Sequence, residues 1–151
     1  MSLAGTVHRT NRILHLSLQE ATDLVIAQWF LLAALWTVRR RAKGELLRAV
    51  RGGGHPDHPR DGVRLARLAV AVDRVARFGV FRPTCLVRAV ALERLVRRAR
   101  AGRAVVRVGV LKQEEQFFAH AWIEIDGRVV GDEAAHVRRF TPLDDFSALP
   151  E

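Results

Sequence analysis

The sequence predicts an α+β fold with segregated layers, helices first and an antiparallel sheet after, and three observations predict it. Apolar residues recur at helical spacing as far as Arg100, β-branched runs replace them from Ala104 onward, and Asp126-Gly127 stands between two of those runs as a hairpin signal. A chain of 151 residues, 49% of them hydrophobic, can bury one sizeable core and has no room for two full domains. Residues 1–151 are therefore expected to form a single domain, with a helical region over 17–78 and a mixed part over 80–146.

Ser17 followed by Glu20 is a capping-box pattern, so a helix is expected to begin there. It runs on through Leu24 to Val38 with no charge, and only Gln28 and Thr37 interrupt it. That stretch is shorter than the roughly 20 residues that cross a bilayer, which favours a buried helix over a membrane span. Trp29 and Trp36 lie seven apart, on one side of it, and are expected to pack in the core. Residues 52–59 combine three glycines with two prolines and read as a loop. His55 and His58 on that loop lack a third ligand nearby, so no metal site is expected.

A second amphipathic helix is expected from Val63 to Ala76, closed by Gly79 to Pro83. Thr84 is placed to cap a third, running from Cys85 toward Arg100 and stopped by Gly102. Three strands follow, over Ala104 to Leu111, Phe117 to Ile125 and Arg128 to Asp132. No charged, apolar and small-residue succession marks a secretory signal near Met1, so the expected compartment is the cytoplasm.

Residues 1–107 carry 21 Lys and Arg against 7 Asp and Glu, whereas residues 108–151 carry 4 against 9. The chain is basic first and acidic last. A nucleic-acid motif or a basic stripe interleaved with aromatics is missing, so the charge reads as a solvated face and no nucleic-acid partner is expected.

The one cysteine, Cys85, falls in the first turn of a helix, where free N–H groups and the macrodipole favour a thiolate and can receive the oxyanion of a tetrahedral intermediate. His120 sits on an apolar strand, in Phe117-Phe118-Ala119-His120-Ala121-Trp122, where a base would be shielded from water. Asp132 stands twelve residues later, where a carboxylate can hold the imidazole in its working tautomer. Singly, each has a blander reading: small hydrophobe, core histidine, turn acid. Together they are what a Cys-His-Asp site requires. No cofactor is implied. A glutamine shortly before the cysteine, a common oxyanion donor in such sites, is not found.

Cys85-Leu86-Val87-Arg88-Ala89, Val108-Gly109-Val110, Ala119-His120-Ala121-Trp122-Ile123-Glu124, Asp126-Gly127 and Gly131-Asp132 resemble the catalytic core of lasso peptide B proteins. The resemblance implies a papain/transglutaminase-like cysteine peptidase that removes the leader from a precursor peptide, with Cys85, His120 and Asp132 as its triad. It further implies the split form of the family. Its partners would be the precursor, a separate leader-recognition protein and an ATP-dependent cyclase, with membrane association not favoured. A non-catalytic module of the same fold and a transglutaminase-type acyltransferase are the competing readings.

Strand parity bears on the triad independently of any family. A two-residue turn at Asp126-Gly127 would place His120 opposite Glu133, not Asp132. A three-residue loop, Ile125-Asp126-Gly127, with a glycine bulge at Gly127 would place His120 opposite Asp132. The three-residue loop is the expectation, and a two-residue turn would favour Glu133.

Overall fold

In the computed structural model, which describes residues 17–40 and 61–143, helix α1 (Leu18–Arg40) begins at a reciprocal cap. The Glu20 amide donates to Ser17 Oγ at 3.2 Å and the Ser17 amide to Glu20 Oε2 at 2.9 Å. The Ser17 backbone bond, and then its hydroxyl, hold the Glu20 carboxyl below its ordinary value. Ala27, Leu31, Ala34 and Thr37 form the buried stripe of α1, spaced by three and four. Trp29 and Trp36 are 70% and 58% exposed, so their expected place in the core is wrong. The helix is apolar on every side, and its periodicity does not mark the inner face. Its alanines, rather than its tryptophans, turn toward α2 and α3.

The polar interruptions of α1 make long-range bonds. Gln28 Oε1 accepts from the Val80 amide at 3.4 Å, and Thr37 Oγ1 accepts from Arg94 at 3.2 Å. Val25, Ile26, Trp29, Leu32 and Trp36 stay exposed, so the expected buried helix is buried on one face only. By length and composition alone α1 could span a membrane.

Asp61 caps α2 (Gly62–Phe78) by accepting from the Arg64 amide at 3.0 Å, and Leu65, Leu68, Val72 and Val75 bury its inner face. Thr84 caps α3 (Cys85–Ala99), which ends three residues before the expected stop at Gly102, on a left-handed Arg100 with φ 51°. The loop holding His55 and His58 lies outside the described residues.

The sheet is antiparallel throughout, in the order β3-β2-β1-β4, with β1 Ala104–Gln113, β2 Gln116–Ile125, β3 Arg128–Val130 and β4 Thr141–Pro142. The chain is thus α+β, helices before sheet. A short helix, α4 (Ala134–Val137), and β4 go beyond the elements expected. Ala121, Ile123 and Ile125 of β2 face the helices, and Trp122 packs on the other side with Val137 and Phe140.

Two of the hairpin expectations fail. Ile125 pairs with Arg128, Glu124 with Val129 and Ile123 with Val130, which leaves a two-residue turn at Asp126-Gly127. Both turn residues are left-handed, φ 52° and 72°, as a type I′ turn requires, and there is no three-residue loop or bulge. The third strand also ends at Val130, short of the expected Asp132.

Candidate active site

Cys85 is the first residue of α3, and the capping of that helix determines which donors surround its sulfur. Thr84 Oγ1 takes the Val87 amide at 3.4 Å, and the Thr84 carbonyl takes the Arg88 amide at 3.0 Å. Among the described residues, the amides of Cys85 and Leu86 make no hydrogen bond. These two N–H groups are available to an oxyanion beside the thiol.

His120 lies on the β2 face turned away from the helices. Because β3 stops at Val130, no described strand pairs with the edge of β2 at residues 120 and 121, and Cys85 and His120 line one pocket there. Asp132 lines the same pocket, so all three residues singled out in the sequence meet in one place. His120 Nε2 and Asp132 Oδ2 are 2.6 Å apart. A carboxylate can only accept, so Nε2 carries the proton and Nδ1 is the ring nitrogen left to act as a base. The other carboxylate oxygen, Oδ1, accepts from the Glu133 amide at 2.8 Å, which pins the group.

The two-residue turn would have favoured Glu133, yet Glu133 is exposed and Asp132 meets the imidazole. Gly131 resolves the conflict. With φ 74° it leaves the ladder one residue after Val130, so strand parity no longer governs Asp132. A Cβ at Gly131 would also stand 2.6 Å from Leu92 Cδ2, in the wall of the pocket.

An aromatic group holds the imidazole. Trp122 stacks on it with centroids 6.2 Å apart, His136 meets it edge-on at 5.0 Å and Phe140 lies at 5.2 Å. The Trp122 indole donates to Glu124 Oε1 at 2.9 Å, so it is engaged away from the thiol. Gly109, which pairs with His120, makes room for it: a Cβ there would stand 2.8 Å from Trp122.

Sequence reasoning assigned no role to Gly131, Gly109, His136, Phe140 or Arg88. Arg88 follows Cys85 by one helical turn and so lies on the same face, a spacing that could have marked it. It lines the pocket and donates to Asp73 Oδ1 of α2 at 3.3 Å. Gln28 is distant in sequence but restrains the loop ahead of Cys85 through Val80. Among the described residues no group of three or more His, Cys, Asp or Glu side chains could hold a metal ion.

A helix end bearing a thiol, packed against an antiparallel sheet that bears a histidine, with an acid from the segment just past the edge strand, defines a papain-like or transglutaminase-like arrangement. The sequence model of the Transglutaminase-like superfamily matches residues 28–145, and the chain belongs to that superfamily. The match takes in the second half of α1 as well as the sheet. The superfamily includes cysteine peptidases and acyltransferases. No curated protein and no solved structure matches the chain.

Proposed function

We propose that this protein is a cysteine peptidase that removes the leader from a lasso peptide precursor, acting through Cys85, His120 and Asp132. The observation that carries the chemistry is the 2.6 Å His120–Asp132 contact in a pocket shared with the helix-end thiol. The lasso assignment rests on the motifs around Cys85, His120 and Asp132.

In this reading the Cys85 thiolate, its proton passed to His120 Nδ1, attacks the scissile carbonyl. The amides of Cys85 and Leu86 receive the oxyanion. The imidazolium, held by Asp132, gives its proton to the leaving amine, and a thioester remains on Cys85. Water, deprotonated by His120, then releases the acid and restores the thiol.

The precursor is presented by a separate leader-recognition protein, and the trimmed product passes to an ATP-dependent cyclase. Recognition in trans rests on the resemblance to the split form of the family. Holding the leader near Cys85 raises its effective concentration, so the partner accelerates cleavage.

Mass analysis of the precursor after incubation tests this. Cleavage by the wild type, faster with the recognition protein and abolished in folded Cys85→Ala and His120→Ala, is expected. Cleavage retained in Cys85→Ala would overturn the reading. The superfamily match also favours a second reading, acyl transfer, in which an added primary amine is incorporated at the new carbonyl instead of water.

A further inference from the structure

We propose that the peptide substrate binds as an added strand on the open edge of β2, along residues 116–121, a placement that rests on the peptidase reading above. β1 covers one side of β2 along its whole length, but β3 covers the other side only at Ile123–Ile125. Beyond Val130 the chain turns off at Gly131, and among the described residues no strand continues the line of β3 beside His120.

The two tight turns fix which backbone groups face that line. Residues flanking a two-residue hairpin turn exchange both hydrogen bonds, and the pattern alternates from there. Gln113 pairs with Gln116 at one end of β2, so residues 116, 118 and 120 bond to β1. Ile125 pairs with Arg128 at the other, so residues 125, 123, 121, 119 and 117 point away from β1. Both ends give the same phase. The N–H and C=O groups of Phe117 and Ala119 therefore face outward, and no described strand pairs with them.

Exposed edges are ordinarily blunted by charge, proline or a bulge. Gln116-Phe117-Phe118-Ala119-His120-Ala121 has no acidic residue, lysine, arginine or proline, and its pairing with β1 runs without a bulge. Phe117, 72% exposed, and Phe118 flank the edge with apolar surface. Six residues at about 3.3 Å each give an edge of about 20 Å. An extended peptide laid there gains main-chain bonds that do not depend on its sequence, and its backbone runs beside the pocket that holds Cys85.

Amide exchange followed by NMR on the Cys85→Ala protein tests this, with an excess of a synthetic peptide spanning the precursor's leader–core junction. Exchange at Phe117 and Ala119 should slow about tenfold on binding, while Phe118 and His120, already bonded to β1, stay unchanged. Uniform change, no change, protection already present in the free protein, or pairing of two copies through this edge would overturn the proposal. In the wild type, Ala119→Pro removes only an outward N–H and should raise KM roughly three- to tenfold. An unchanged KM would count against the edge. Mass analysis of the same peptide with wild-type protein separates the two claims. Cleavage without the alternating pattern sinks the edge alone, and the pattern without cleavage sinks the peptidase reading alone.

Discussion

The turn at Asp126-Gly127 and the turn at Gly131-Asp132 stand five residues apart and use the same backbone device, a glycine with φ near 70°, for different ends. The first closes a hairpin and leaves strand register intact. A Cβ on Gly127 would meet nothing within 4 Å. The second ends the register, brings the chain against Leu92 of α3 and delivers a carboxylate to His120. The acid of the proposed triad is thus positioned by the exit from the ladder and not by the ladder itself.

If that contrast holds, the largest effect belongs to Asp132→Asn. It keeps the shape of the side chain but removes the charge that orients the imidazole, so kcat for peptide cleavage should fall about 10²- to 10⁴-fold. Glu133→Gln, the change that strand parity alone would favour, should leave kcat unaltered. A reversal of these two in steady-state kinetics would restore Glu133 to the site.

Gly131→Ala comes next. A side chain in the left-handed region, pressed against Leu92, should cost about 1–3 kcal/mol in urea unfolding. The accompanying displacement of Asp132 should lower kcat about hundredfold. Gly127→Ala shares only the backbone strain, so about 1 kcal/mol of stability should go while kcat stays near wild type. Equal kinetic losses at the two glycines would dissolve the distinction between the turns.

Smaller still in its effect on catalysis, though not on stability, is the contrast across α1. Leu31→Ala should cost about 2–5 kcal/mol because it empties a fully buried position, yet leave the chemistry of folded protein intact. Trp29→Ala, on the bare face, should change stability by about 0.5 kcal/mol or less. A large loss at Trp29 in the isolated chain would show that this face is covered.

These contrasts also mark what could be read from the sequence. Local chemistry was legible: Ser17 and Thr84 announce their helices through short-range hydrogen bonds, and the change from helical to alternating spacing after Gly102 announces the sheet. Cys85, His120 and Asp132 stood out by residue type, and the structure brings them to one pocket. What failed depends on distant parts of the chain. The inner face of α1 is selected by α2 and α3, and an apolar helix carries no internal sign of that choice. The route to Asp132 depends on Gly131 meeting Leu92, a contact between residues 39 positions apart, whereas parity arguments see only the hairpin.

The central claim is that Cys85, His120 and Asp132 act as one unit, and the rate at which iodoacetamide alkylates Cys85 tests it most directly. The chain has a single cysteine, so uptake of one label per chain reports that thiol alone, with no need of precursor or partner. Wild type and Glu133→Gln should react at the same rate, and folded His120→Ala and Asp132→Asn should react about tenfold more slowly or worse. Equal rates in all four proteins would mean that the thiol does not sense the histidine and its acid, and would contradict the account.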